Sequence, residues 1–109
     1  MSIATIRPAR THDIRVIRSL IDEYSVDGHL LAKATVTLFE DVQEFVVAEI
    51  DGVVVGCGAL HVMWEDLAEV RTLAVSGAHL RQGLGSLILQ ELLQRARNIG
   101  VRRVFCLTF

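Results

Sequence analysis

The stretch "EVRTLAVSGAHLRQGLGSLILQELLQRARNIGVRRVF", residues 69–105, changes its apolar period twice, and those changes set the fold. "LAEVRTLAV", Leu67 to Val75, is a β-rich run, and the polar "SGAHLRQ" follows it. Beyond Gly83-Leu84-Gly85 the spacing becomes helical: Leu84, Leu87, Ile88 and Leu92, with Leu89, Leu93 and Ala96, make a broad apolar face. Gln90, Glu91, Gln94, Arg95 and Arg97 fall elsewhere, and Gly100 is placed to close the helix in a left-handed cap. "RRVFCLTF" then returns to an apolar β run. A strand joined to the next by a helical crossover lies parallel to it, so these last two strands are predicted to pair in parallel.

Working outward, "EFVVAEIDGVVVGCGALHVMW" holds two β runs around Asp51-Gly52. Both central residues of a two-residue hairpin turn need positive φ, which Asp-Gly accommodates, so an antiparallel hairpin is predicted. Val53 to Trp64 reads as a buried strand, with Trp64 as core or rim packing. Further back, "TIRPA" (Thr5 to Ala9) is extended up to Pro8, and Ile14, Ile17, Leu20, Ile21 and Tyr24 recur at helical spacing. Thr11 or Asp13 is the expected cap of that helix. The pattern breaks from Ser25 to Ala34, and a short helix is predicted over Thr35 to Val42. The order is strand, helix, short helix, hairpin, strand, glycine turn, helix, strand: an α+β (mixed α/β) class.

The 109 residues, with one proline and eight glycines, suit one domain with its own core, taken as 1–109. Eleven Lys and Arg against thirteen Asp and Glu leave a charge of −2 without a basic block, which argues against a nucleic-acid partner. The longest nearly apolar stretch is short of the ~20 residues a bilayer requires, and "MSIATIRPARTHDI" has no secretory pattern, so a cytoplasmic protein without a membrane partner is expected. Cys57 and Cys106 form no Cys-x-x-Cys and read as small core residues. No metal-ligand spacing is evident: His12, His29 and His79 lie in predicted caps or loops, and His61 reads as a hydrogen-bonded strand residue.

Gly83-Leu84-Gly85 has two readings. A dinucleotide fingerprint needs a third glycine, and the position three after Gly85 is Ile88. What remains is a strand, a loop and a helix whose first N–H groups and dipole favour an anion, with glycines allowing close approach and Arg81 and Gln82 as added donors. The other reading is a tight strand-to-helix turn.

Residues 69–105 resemble the coenzyme-A-binding core of the GNAT superfamily of N-acetyltransferases, in which a strand, a loop ending in Gly-x-Gly and a long helix occur at this spacing. The hairpin and "IRPARTHDIRVIRSLI" are similar to that family's opening elements. Two departures stand out: Leu80 occupies the position where Arg or Gln is common, and Arg81 the position where Gly is frequent. The resemblance implies a central, mostly antiparallel sheet flanked by helices. Family members continue past the fifth strand into a further helix and two strands, so 1–109 is expected to be incomplete at its C-terminus, to lack the tyrosine that protonates the departing thiolate, and to turn over weakly. A second copy covering the edge of the last strand, a homodimer, is the other expectation for that edge.

Within the superfamily, "DGHLLAK", "FVVAEIDGVVVGCGALH", "EDLAEVRTLAV" and "VRRVFCLTF" are similar to the acetyltransferase domain of N-acetylglutamate synthases. The resemblance implies acetyl transfer from acetyl-CoA to the α-amine of an amino acid, L-glutamate, the first step of arginine biosynthesis. It places pantetheine beside Leu73, Ala74 and Val75, and the pyrophosphate on Leu80, Arg81, Gln82, Gly83, Leu84, Gly85 and Ser86. A backbone N–H near Thr72 or Leu73 would polarise the thioester carbonyl. Glu69 is the first candidate base, with Asp66 and then Glu65 behind it; their other reading is a solvated acidic turn and strand face, and Glu69 and Arg71, on one face, are placed to pair. "Gly-x-Leu-x" followed by a basic residue, here Gly28 to Lys33, implies Leu30 and Lys33 at the substrate, with Arg71 and Thr72 beside them. Alternatives are a GNAT enzyme for another amine, a non-catalytic acyl-CoA-binding module and a generic nucleotide-binding domain.

Overall fold

The protein is described by a computed structural model covering residues 3–24 and 29–107, with side chains described for these residues other than 29–34. Five strands form one sheet in sequential order: β1 (Thr5–Pro8), β2 (Phe45–Ile50), β3 (Val53–Trp64), β4 (Leu67–Val75) and β5 (Arg103–Cys106). Every neighbouring pair is antiparallel except β4 and β5, which are parallel as the crossover requires. Asp51 and Gly52 turn the hairpin with φ of 51° and 79°.

Helix α3 (Leu84–Asn98) covers one face and buries Leu84, Ile88, Leu92 and Ala96 against Val46, Ala48, Leu60 and Val70. Helices α1 (Ile14–Asp22) and α2 (His29–Glu40) cover the other, where Ile14, Ile17, Leu20 and Leu38 meet Phe45, Val47, Cys57 and Ala59. Alternate residues of β2 thus enter two different cores, which is why that strand reads as an unbroken apolar run. Gly100, at φ 91°, ends α3: Val101 N–H reaches the Ala96 carbonyl at 2.8 Å and Gly100 N–H the Arg97 carbonyl at 3.1 Å, the paired bonds of a glycine-closed helix.

Several sequence expectations are corrected. The apolar face of α3 is narrower than the spacing implies, because Leu87 is exposed and Leu89, also exposed, borders a cavity rather than the packed core. Cys106 is exposed at the end of β5, whereas Cys57 is fully buried and desolvation pushes its thiol up to about 12. Trp64 is 74% exposed, since β3 outruns the helices that cover its middle. The second helix begins at His29 and ends at Glu40, earlier than Thr35 to Val42, and Val42–Glu44 is a separate 3-10 turn. Neither Thr11 nor Asp13 caps α1 as expected. The Asp13 carboxylate, 4% exposed, instead accepts the Arg10 N–H at 2.7 Å and two bonds from Arg7 at 2.8 and 3.0 Å.

One irregularity governs the site. Cys57 pairs with Ala74 and Ala59 with Arg71, so Gly58 alone opposes Thr72 and Leu73. This is a β-bulge on β4. Gly58 is required there: a Cβ would lie 2.7 Å from Ile88 Cγ2 and 3.1 Å from Leu73 Cδ1 and Leu92 Cδ1. Gly58→Val should therefore lower stability by about 1–3 kcal/mol through overpacking, seen as a reduced midpoint in thermal or urea melts; an unchanged midpoint would count against this packing.

Candidate active site

The bulge places Thr72, a β-branched residue, at φ 55°. Such a conformation costs about 1–3 kcal/mol and persists only where its surroundings enforce it. It also redirects β4. Strand β5 pairs with β4 only from Leu67 to Val70, so Arg71 to Val75 present an edge that β5 does not cover. The Ser76 N–H faces β3, donating to the Val55 carbonyl at 2.8 Å, and strand alternation turns the N–H groups of Val75 and Leu73 toward the opening, the Val75 carbonyl being taken by the Tyr24 hydroxyl.

Two cavities meet at the bulge. One, of 400 Å³, lies between β4, α3 and β5 and is lined by Val70, Thr72, Leu73, Leu89, Cys106 and Leu107. The other, of 330 Å³, lies on the α1 side and is lined by Ile21, Tyr24, Thr72, Leu73 and Ala74. Thr72 and Leu73 line both, so a ligand entering from either side reaches the same backbone. A third hollow, of 280 Å³ beside Gln43 and Arg95, is lined by none of these residues.

At the end of β4 the chain passes through Gly77–His79, a 3-10 turn, to Gly83 and α3. Gly83 is the residue before the helix at φ 79°, and Arg81 adopts φ 64°. Arg81, at a position where the resemblance has Gly, thus takes the backbone shape glycine favours. The first bond of the helix runs from Leu87 N–H to the Gly83 carbonyl at 3.1 Å, and the N–H groups of Leu84, Gly85 and Ser86 precede any intrahelical acceptor. Gly85 has nothing within 4 Å of the position a Cβ would take. Open space, unpaired donors and a helix dipole fit a phosphate. Leu80, Arg81 and Gln82 are exposed on the same loop.

Glu69 is buried on the α1 face of β4, and its carboxylate lies 2.6 Å from Arg71 Nε, so the two candidates pair with each other. Its cross-strand neighbours are His61 on β3 and Phe105 on β5. His61 is the hydrogen-bonded strand residue expected, its Nδ1 3.0 and 3.1 Å from the Glu44 carboxylate oxygens. Asp66 is not brought to this group. It sits before β4, accepts the Arg102 N–H at 2.6 Å and fastens the entry to β5, roughly 20 Å along the strand from the bulge. Glu65 shares that turn. The backbone of Leu30 and Lys33 falls in α2, while their side chains lie outside the described residues, as does Gly28.

Two features had no readable signal in sequence. A bulge at a threonine looks like any strand position, and Tyr24 registers only as an apolar residue at helical spacing. Its hydroxyl in fact donates to the Val75 carbonyl. Among the described residues, no three His, Cys, Asp or Glu side chains are grouped to hold a metal ion, and no helix is long and apolar enough to cross a membrane.

Residues 14–109 match the model of the acetyltransferase (GNAT) family. An amino-acid acetyltransferase of Mycobacterium tuberculosis is 52% identical over 107 residues, covering 95% of this chain and 61% of that protein. One from Neisseria meningitidis serogroup A is 35% identical over 108 residues, covering 98% of this chain and 25% of the relative. Among solved structures, M. tuberculosis Rv2747 in complex with CoA and NLQ superposes with a TM-score of 0.86 at 47% identity, over 96% of this chain and 64% of that one. N-acetylglutamate synthase of Neisseria gonorrhoeae, complexed with coenzyme A and N-acetyl-glutamate, gives 0.85 at 30% identity, over 99% and 26%. The chain therefore spans about three fifths of the mycobacterial relative and about a quarter of the Neisseria proteins.

Proposed function

Because the chain belongs to the acetyltransferase (GNAT) family, we propose that it transfers the acetyl group of acetyl-CoA to the α-amine of an amino acid, L-glutamate, as in the opening step of arginine biosynthesis. The observation that carries the reading is the bulge at Thr72, which leaves the edge of β4 uncovered beside a glycine loop and a helix N-terminus. Pantetheine lies along that edge as an added strand on Leu73, Ala74 and Val75, and the pyrophosphate rests on the N–H groups from Leu80 to Ser86. Acetyl-CoA supplies an activated thioester carbonyl. The Leu73 N–H, turned toward the opening, is the donor for the oxygen of that carbonyl. Holding both substrates at the bulge supplies much of the rate enhancement.

The acceptor approaches from the α1 side, through the cavity that shares Thr72 and Leu73. Glu69 stands about 10 Å before Thr72 along the strand, so it receives the amine's proton through water. Arg71 orients the Glu69 carboxylate, and Lys33, with Leu30 on the same helix, holds the acceptor's carboxylates. The test is calorimetry with CoA followed by a thiol-release assay over a panel of amino acids and other amines. CoA binding with transfer preferring L-glutamate is expected. Transfer to a different amine would redirect the substrate assignment, and binding without transfer to any amine would leave an acyl-CoA-binding module.

Gly85→Val separates the cradle from a plain turn. Valine and glycine differ little in helix propensity and the Cβ meets no protein atom, so the melting midpoint should hold. Obstructing one charge-assisted bond to phosphate, ~2 kcal/mol, should weaken CoA about 30-fold. Unchanged CoA affinity in this variant would end the cradle reading.

A further inference from the structure

The junction between β4 and the glycine loop is held by two exposed side chains from the end of α1. The Tyr24 hydroxyl donates to the Val75 carbonyl, and Glu23 Oε2 accepts the Gly77 N–H at 3.0 Å. These bonds fall on consecutive peptide groups, each of which is also held at its other end. In the Val75–Ser76 peptide, the carbonyl is taken by Tyr24 and the N–H by the Val55 carbonyl at 2.8 Å. In the Ser76–Gly77 peptide, the N–H is taken by Glu23 and the carbonyl by the His79 N–H at 2.8 Å. Neither peptide can rotate without breaking a bond, so the direction in which the loop leaves the strand is set by α1, more than fifty residues away in sequence.

That direction matters to a ligand that spans the junction. The uncovered edge of β4 lies on one side of Val75–Gly77 and the N–H groups of Leu80 to Ser86 on the other. A flexible joint would let each half bind its own part of a ligand while losing the advantage of binding both at once. We infer that Glu23 and Tyr24 are positioning residues for acetyl-CoA: they fix the edge that takes the pantetheine arm relative to the loop that takes the pyrophosphate, so that both halves are engaged together. Both side chains are exposed, so the core does not depend on them. The inference rests on the acetyl-CoA reading above.

Calorimetry of wild type and the double variant Glu23→Ala/Tyr24→Phe, titrated separately with CoA and with adenosine 3′,5′-bisphosphate plus ADP as pantetheine-free probes, tests it. CoA should bind the variant about 10-fold more weakly, with the pantetheine-free probes within about 2-fold of wild type. The melting temperature should move by no more than ~3 °C. CoA affinity within about 2-fold of wild type overturns the inference, and so does a parallel loss for CoA and the probes, which would mean the contacts shape the phosphate loop alone. Wild-type protein that binds no CoA would instead overturn the acetyl-CoA reading itself, so the two failures are separable.

Discussion

Glu69→Gln is expected to slow acetyl transfer by a factor on the order of 10²–10⁴ while CoA affinity stays within about 2-fold of wild type. In the proposed reaction the acceptor's α-amine, with a reference pKa of roughly 7.7–8.0, is mostly protonated at neutral pH and has to lose that proton before it attacks. Glutamine keeps the size of the side chain and an oxygen for Arg71, so the ion-paired geometry at 2.6 Å is disturbed little and only the proton acceptor is lost. Raising the pH should restore part of the rate in the variant, because the acceptor then arrives already neutral. The measurement is a pH profile of thiol release for both proteins. Transfer within about 3-fold of wild type across the profile would leave Glu69 as no more than the partner of Arg71.

Arg7→Ala is expected to cost about 3–4 kcal/mol of folding stability, a large fraction of what a chain of this size possesses. Arg7 bridges two carboxylates, Asp13 at 2.8 Å and Glu49 at 2.7 Å, joining β1 both to the start of α1 and to β2. Asp13 is almost fully enclosed, and removing its guanidinium leaves a buried charge compensated by the Arg10 N–H and by the exposed His12, whose Nε2 lies 3.6 Å from Asp13 Oδ1. The hydrogen bonds from Arg7 hold the Asp13 carboxyl below the usual carboxylate range. A carboxyl whose folded pKa is depressed contributes stability that is complete above its unfolded value and is lost as pH falls through the folded one. Wild-type protein should therefore lose stability below about pH 4, and Arg7→Ala should show a flatter acid limb. Urea melts from pH 7 down to pH 3 check both points; equal midpoints at pH 7 would rule out a stabilising role for the bridge.

How much of this was legible beforehand differs by element. The Asp51-Gly52 hairpin, the Leu67–Val75 strand, the parallel return of β5 and the Gly100 terminus follow from local rules, and each stands where the sequence puts it. The glycine loop was legible as a location but open as to role. Its two glycines proved unequal. At Gly83, φ 79° makes a valine strained whatever binds there, whereas Gly85 faces open space and reports on the ligand alone. Asp66 shows the opposite limit: an acidic residue near the right strand became the fastening of β5, because an acidic side chain's partner is decided by which backbone N–H folds against it.

The sequence by itself determined the order of elements and their direction, because turn chemistry, helix termini and hydrophobic period act over a few residues. Only the tertiary structure decided where the sheet opens. The bulge at Thr72 lies opposite Gly58, where Ile88, Leu92 and Leu73 close over the missing side chain, and the exit of the loop is held by Glu23 and Tyr24 at the end of α1. These are contacts between residues far apart in the chain, and no local pattern records which of them will meet.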